Sequence, residues 1–370
     1  MFLYFLYEIR ILRMIKILLT GPFLNDTAGG ITVHVKNLME IFKSVEDINI
    51  EHFAITDAKH DRESWAKKIK RLSNKLLPFV IQSKFCDVVH LNSTFDNRSV
   101  IRDLFYGAIV KVIRKKKVII QFHGGEPSNV FFFKNRVFKP VSRLILGRFD
   151  GLLVLSKYQK DQLCRYFSKI DVTLLPNCIS VVDQKKKTTI NNDGVAFLFM
   201  GRISESKGIL NIIEAAKLLV NTKLKFKINI CGTGPLQEKL VDEISANKLH
   251  GKLQYFGFLS GREKEGILLD SDVMLLPTNH NEGFPYALLE AFSYALPVIA
   301  TRKGAIAEVI EDNVNGFLIN PNDEKRLFEK MMFFCNNPEK LIIMGNKGKE
   351  KVIQEYNPEI LLRRLTSIYS

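Results

Sequence analysis

The sequence predicts an α/β protein built from two Rossmann-like domains, each a parallel sheet covered by helices, facing one another across a cleft. Three observations lead there. Short apolar runs alternate with segments of helical spacing through the first half of the chain. A polar, aperiodic stretch follows at 181–194, and the same alternation then begins again. The 370 residues, 46% of them hydrophobic, are also enough for two cores, since domains usually run to ~100–200 residues.

Taken in order, IKILLT (15–20) is an apolar run ending at Gly21, and a helix is expected from Gly30, where Ile31, Val35, Leu38 and Phe42 recur at helical spacing. INIEHFAI, DVVHLN, KVIIQFH and GLLVLS read as strands, separated by helices near 63–83, 99–113, 137–147 and 158–167. Apolar runs without strict alternation indicate strands buried on both faces, as in parallel sheets. The first domain, 14–180, closes near TLLPNC (173–178). After the connection at 181–194, the second domain (195–355) gives VAFLFM, KFKINI, KLQYFG, DVMLLP and PVIAT as strands. Helices are expected from Lys207, from Pro235, and near 262–269 and 285–294. From about 322 the chain reads as helices, the last (356–370) packing back on the first domain. Ligands in such folds bind beyond the C-terminal ends of the strands.

Composition narrows the function. Five scattered cysteines without C-x-x-C or zinc spacing suit a reducing, cytoplasmic setting. The first 13 residues are apolar but carry Glu8, Arg10 and Arg13, lack the order of a signal peptide, and are too short to span a bilayer. They read as a membrane-surface segment or as residues ahead of a true start at Met14. Residues 1–180 hold 29 Lys and Arg against 16 Asp and Glu, whereas residues 181–370 hold 25 against 23. The excess lies in runs such as Lys67 to Lys75, Arg114 to Lys117, and FFFKNRVFKP, where Phe131, Phe132, Phe133 and Phe138 sit among Lys134, Arg136 and Lys139. Basic residues among aromatics favour an anionic membrane surface or a phosphate-bearing partner; a solvated basic face is the plainer alternative. No nucleic-acid motif accompanies the charge, so no nucleic-acid partner is expected.

Several segments carry chemistry. Ala28, Gly29 and Gly30 follow the first strand and open a helix, where missing Cβ atoms let an anion approach backbone N–H groups. The spacing is not that of G-x-G-x-x-G, which weighs against a dehydrogenase. His123 ends a strand beside Gly124 and Gly125, placed to donate to a substrate hydroxyl. GRISESKG puts Arg202 beyond a strand and Lys207 before a helix, a fork and a point charge able to neutralise a diphosphate leaving group. Gly232 and Gly234 in GTGP form a tight turn that admits a ligand close to the backbone. Glu282 and Glu290 lie eight apart in NEGFPYALLE, the first on a loop and the second well into a helix, so one can meet a sugar and the other a ribose diol.

These segments resemble the retaining glycosyltransferases of family 4, the glycosyl transferases group 1 of the GT-B superfamily, over nearly the whole chain from Met14. The most specific parts are GRISESKG, GTGP and EGFPYALLE followed by ALPVIAT. The resemblance implies that Arg202 and Lys207 bind the donor diphosphate, that Glu290 holds the ribose, and that Glu282 contacts the transferred sugar. It places Gly29 and Gly30 near the distal phosphate, His123 on a sugar hydroxyl, and Gly232, Gly234, Gly283, Phe284 and Gly304 in the donor site, with backbone donors at Gly304. It implies no obligatory cofactor, a nucleoside diphosphate sugar (UDP- or GDP-linked) as co-substrate, and a glycan or polyprenyl-diphosphate-linked acceptor in bacterial surface polysaccharide synthesis. Two departures stand out: Pro176-Asn177-Cys178 where the family often has PNG, and Lys303-Gly304 where it often has GG. Asp270-Ser271-Asp272 spells D-x-D, but its place before a strand argues against a metal site. The alternatives are a non-catalytic sugar-nucleotide-binding subunit, which should lack the charged donor ligands, and a GT-B epimerase, which would convert donor without acceptor. A GT-B phosphorylase lacks an evident pyridoxal-phosphate lysine motif here.

Overall fold

The computed structural model describes residues 14–24, 29–56, 65–181, 194–247 and 249–370. Most of the predicted connection, Ala28 and the residues before Met14 lie outside them.

The N-terminal unit runs β1 (Ile15–Pro22), α1 (Gly30–Phe42), β2 (Ile48–Thr56), α2 (Trp65–Gln82), β3 (Val88–Phe95), α3 (Asn97–Ile109), β4 (Lys117–Gly125), α4 (Phe131–Lys134), α5 (Phe138–Leu146), β5 (Gly151–Val154), α6 (Lys157–Tyr166) and β6 (Thr173–Leu174). Its sheet has the order β2-β1-β3-β4-β5-β6, parallel throughout. The C-terminal unit runs β7 (Val195–Met200), α7 (Ile209–Val220), β8 (Phe226–Cys231), α8 (Gln237–Ala246), β9 (Leu253–Gly257), α9 (Gly261–Leu269), β10 (Val273–Leu276), α10 (Tyr286–Ser293), β11 (Val298–Thr301), α11 (Ile306–Val309), β12 (Gly316–Ile319), α12 (Glu324–Asn336), α13 (Glu339–Glu355) and α14 (Pro358–Tyr369). Its sheet is also parallel, in the order β12-β11-β10-β7-β8-β9.

The period-two geometry of a strand explains why these runs are apolar on both sides. In β7, Phe197 and Phe199 pack into one core with α7 and α12, while Leu198 enters the opposite core under α10. In β1, Ile17 and Leu19 face α1 and α14, and Leu18 faces the layer of α2, α3 and α5. Side-chain caps fix several helix starts: Asp96 accepts from the amides of Arg98 and Ser99, Asp323 from Arg326, and Asn357 from Ile360 with Pro358 at the first turn.

Two features depart from the sequence reading. A sixth strand, β12, pairs with β11; four residues after a turn carry too little pattern to announce it. The helix expected near 137–147 is preceded by a separate turn, α4, because Asn135 adopts an extended conformation and its side chain accepts from the amides of Val137 and Phe138. The end of the chain divides between the units. Helix α13 stays on the second, where Gly345 and Gly348 let it lie against the Ala295 carbonyl and the Phe292 ring. Helix α14 crosses back, and Leu361, Leu365 and Tyr369 complete the core beneath β1.

Tyr369, the penultimate residue, is buried and its hydroxyl hydrogen-bonds His90 Nδ1 at 2.7 Å. Tyr369→Phe leaves that nitrogen without a partner in a dry site, so we expect a loss of about 1–3 kcal/mol in urea unfolding. A stability within about 0.5 kcal/mol of wild type would show that the bond does not hold α14 in place.

Candidate functional site

The loops that follow β7 and β8 are stitched together by backbone alone. Gly201 N–H donates to the Cys231 carbonyl, Ile203 N–H to Thr233, and Leu236 N–H to Ile203. A Cβ on Gly232 (φ +129°) would stand 1.8 Å from the Gly201 carbonyl oxygen, and one on Gly234 would stand 2.2 Å from that of Ile203. The space opened by these glycines, which the sequence assigned to a ligand, is filled by the neighbouring loop. What the contact provides is a rigid platform holding Arg202, which is exposed at its edge.

Beyond Arg202, a 3₁₀ turn over Glu205–Lys207 ends at Gly208 (φ +75°), whose Cβ position lies 1.9 Å from the Pro277 carbonyl oxygen. This seats the turn against the end of β10. Asn279 N–H and Thr278 Oγ1 both donate to the Ser206 carbonyl, and Lys207 Nζ reaches Glu282 Oε1 at 2.5 Å. The phosphate-side cation and the sugar-side carboxylate of the sequence reading thus meet as an ion pair. Glu290, inside α10, pairs with Lys264 of α9 at 2.5 Å; nothing in the spacing of GREKEG announced Lys264.

The turn after β11 closes on the same loop. Ala305 N–H donates to the Glu282 carbonyl, Lys303 N–H to that of Thr301, and Gly304 N–H to Asn281 Oδ1 at 3.1 Å. The backbone donors expected at Gly304 are therefore engaged, and a ligand reaching the Gly304 amide has to displace Asn281. At the other side of the cleft, α1 begins at Gly30 with no side-chain cap, and open space surrounds the position of a Gly30 Cβ. The first amides of that helix therefore face the cleft side without a side-chain cap.

His123 ends β4 and is nearly buried. Its Nε2 lies 2.6 Å from Asn92 Oδ1, and Asn92 is itself oriented by donation of Nδ2 to the Thr20 carbonyl. The proton therefore sits on Nε2 and Nδ1 is left as an acceptor. The expected donation to a substrate hydroxyl is revised accordingly: the ring N–H is held by Asn92, so the free nitrogen accepts. The His34 ring stands 4.4 Å from that of His123, and His34 Nδ1 meets the Tyr286 hydroxyl of α10 at 3.2 Å. Burial is the main cause that lowers all three neighbouring imidazoles. His34 falls to about 4, His90 to about 3, and His123 well below its ordinary value, the last two also by imidazole neighbours.

Contacts across the cleft are polar and specific. A Cβ on Gly283 would lie 2.3 Å from the His123 carbonyl oxygen, so the loop carrying Glu282 packs directly on the end of β4. Asn281 Nδ2 donates to Glu126 and, at 2.9 Å, to the Tyr158 hydroxyl. The Asn281 bond is the leading cause holding the Glu126 carboxyl below its ordinary value. The Glu308 carboxylate accepts from the amides of Lys157 and Tyr158 at 2.8 and 2.6 Å, so a residue of the second unit caps α6 of the first. Asn177 Nδ2 donates to the carbonyl of Phe284, a buried residue whose ring packs edge-on against Tyr356. Beside it Cys178 is buried, its thiol pushed up to about 12 by burial. The departure from PNG thus places a core-filling side chain with Leu361 and Leu365. Of these residues the sequence singled out Gly283, Phe284 and His123, and Asn177 and Cys178 as a departure from PNG; Asn281, Glu126, Tyr158 and Glu308 were not, because such residues in a loop carry no spacing signal.

Of D-x-D, Asp272 accepts from the Ala196 amide at 2.9 Å while its own amide donates to the Ala196 carbonyl. It is committed to setting β10 against β7. Among the described residues no three His, Cys, Asp or Glu groups gather to hold a metal ion, and no helix is long and apolar enough to cross a membrane.

Two facing parallel α/β sheets, a shared polar seam and charged groups at the strand ends define the GT-B class. The structure of Anabaena Alr3699/HepE in complex with UDP and glucose shares the fold, with a TM-score of 0.73 at 15% identity over 95% of this chain and 98% of that one. Residues 181–351 match the model of the glycosyl transferases group 1 family; the C-terminal unit is similar to that family, and the two-sheet architecture is the GT-B fold. An uncharacterized glycosyltransferase of Methanocaldococcus jannaschii is 27% identical over 339 residues, 87% of this chain and 89% of that protein. The amylovoran biosynthesis glycosyltransferase AmsK of Erwinia amylovora is 27% identical over 267 residues, 70% of this chain and 65% of that protein.

Gly234→Ala forces the loops after β7 and β8 apart, and we expect it to cost at least about 2 kcal/mol; an unchanged thermal midpoint would refute the backbone contact. The buried imidazoles make stability depend on pH. Between pH ~6.5 and ~4 the unfolded chain binds protons that the folded one refuses, so stability is complete above that window and falls as pH drops through it. Each histidine contributes up to about 1.4 kcal/mol per pH unit. Urea midpoints from pH 7.5 to 4.5 test this, and a flat profile is the contrary result.

Proposed function

We propose that the chain transfers a hexose from a UDP- or GDP-linked donor to a glycan or polyprenyl-diphosphate-linked glycan acceptor, with retention at the anomeric carbon, in bacterial surface polysaccharide synthesis. The observation that carries this reading is the Lys207–Glu282 pair at the C-terminal ends of β7 and β10, with Arg202 exposed beside it and the Gly304 turn bonded to the same loop. The bound UDP and glucose of the Anabaena neighbour support a nucleoside diphosphate sugar. The amylovoran relative supports a polysaccharide product.

In this reading residues 195–355 hold the donor and residues 14–180 face the acceptor. Arg202 and Lys207 lie against the diphosphate, Gly29 and Gly30 offer helix amides to its distal phosphate, and Glu290, held by Lys264, takes the ribose diol. Glu282 and the free Nδ1 of His123 accept from sugar hydroxyls. Gly232 and Gly234 support the platform, while Gly283, Phe284 and Gly304 shape the pocket. The bond from the anomeric carbon to the phosphate breaks as the acceptor oxygen bonds the same face, and the acceptor proton passes to the departing phosphate. Cations fixed in advance stabilise the charge that develops there. Closure of the two units excludes water. The acceptor would meet the enzyme at the cytoplasmic face of an anionic membrane.

Mass-spectrometric turnover of a panel of UDP-, GDP- and ADP-sugars, with and without bacterial lipid extract, tests the proposal. We expect acceptor-dependent release of one nucleoside diphosphate, and a fall of about 10²–10³-fold in kcat/KM for Lys207→Ala. Folded protein that binds a donor but never turns it over would point to the non-catalytic sugar-nucleotide-binding subunit, and one that binds no donor at all would refute the transferase reading. Donor conversion without acceptor would point to an epimerase.

A further inference from the structure

Among the described residues 23 large apolar side chains are exposed, and 12 of them fall between Leu77 and Leu144. Those residues belong to the helical layer over one face of the first sheet, where Phe79, Leu104, Phe133 and Leu146 point inward. Helix α5 shows the arrangement most plainly. Its inner side is Ser142 and Leu146, whereas Phe138, Val141 and Leu144 recur at helical spacing on its outer side, 41–56% exposed, with Val137 before them at 71%. Phe131, Phe132 and Phe138 gather their rings at 4.9–6.1 Å over the start of α5, and Phe105 of neighbouring α3 is also exposed. Soluble surfaces scatter such side chains singly; a continuous layer marks an interaction face.

The charge on the same segment selects the partner. Residues 97–148 hold 12 Lys and Arg against 2 Asp and Glu. Of those two acids, Asp103 is paired with Arg102 and Glu126 is bonded to Asn281. Lys134, Arg136 and Arg143 are exposed among the apolar residues. A second copy of this face would set like charges against one another. A surface of lipid phosphates over acyl chains matches both properties.

We propose that this layer lies on an anionic lipid bilayer, with Phe131, Phe138, Val141 and Leu144 entering the boundary between headgroups and acyl chains. Lys134, Arg136 and Arg143 lie against the lipid phosphates. The ridge begins at the cleft: Phe131 N–H donates to Asn97 Oδ1 at the start of α3, five residues after Glu126, which touches the loop carrying Glu282. An acceptor anchored in the bilayer therefore enters the cleft from the membrane plane. Only this last step rests on the transferase reading; the docking does not.

The full chain is sedimented with phosphatidylcholine vesicles with or without phosphatidylglycerol. We expect binding to the anionic vesicles alone, reduced at least about tenfold in V141E/L144E and in K134Q/R136Q, and unchanged in I342E/I343E, which alters exposed residues of α13. All three changes fall on the surface, and a thermal unfolding midpoint in vesicle-free solution close to wild type checks that each variant is folded. Wild type that remains in the supernatant, or V141E/L144E that pellets like wild type, overturns the proposal. A dimer in sedimentation equilibrium that V141E/L144E disperses would assign the face to a second copy. Wild type that docks but binds no donor would sink the transferase reading and leave the docking standing.

Discussion

No side chain fits between Gly283 and the His123 carbonyl, and that steric limit fixes how the two sheets face one another. The loop after β10 rests on the end of β4 with backbone against backbone. The polar groups beside it are placed by that contact, from the Glu282 carboxylate next to the glycine to the neutral His123 imidazole itself. The surrounding polar bonds are then forced to be specific. Asn281, Glu126 and Tyr158 meet on one side of the contact, Asn177 and the Phe284 carbonyl on another, and Glu308 reaches the start of α6. Buried polar groups without partners are costly, so this seam fixes one arrangement of the two units against the alternatives.

The same close approach recurs within the second unit. Gly232 and Gly234 bring the β8 loop against the β7 loop, and Gly208 brings the turn before α7 against the end of β10. The strand ends thereby form one surface whose charged side chains all project from backbone that cannot shift independently. Preorganisation of that kind is what electrostatic stabilisation of a departing phosphate requires.

Most strands and helices were legible in the sequence because each domain buries its sheet on both faces, which makes strands apolar throughout and helices apolar on one side. β12 was not, being too short to show a period. The charged site residues were legible as a resemblance in spacing, since Arg202, Lys207, Glu282 and Glu290 sit in segments whose context is distinctive. The partners that position them were not. Lys264 and Asn281 act through contacts 26 and 155 residues apart, and no local pattern encodes such pairs. Glycines were visible but ambiguous: the missing Cβ leaves open space at Gly30 and admits a neighbouring loop at Gly234. His123 was found by its place at a strand end, yet the direction of its hydrogen bond depended on Asn92, a residue with no motif of its own.

The core beneath β1 contains Leu361, Leu365 and Tyr369, contributed by α14, which is synthesised after the whole of the second unit. A nascent chain builds the first sheet early but cannot seal it until α14 has been made. While the second unit is being made, the first has an open apolar flank on the α1 side. Domains generally fold in order of synthesis; here the first to emerge is the last to be finished. The chain crosses between the units once near Cys178 and again near Tyr356, and Ile179 N–H donates to the Tyr356 carbonyl where the crossings meet. The older half is thus completed by a helix that follows the younger one, and the two units are tied together where that helix crosses back.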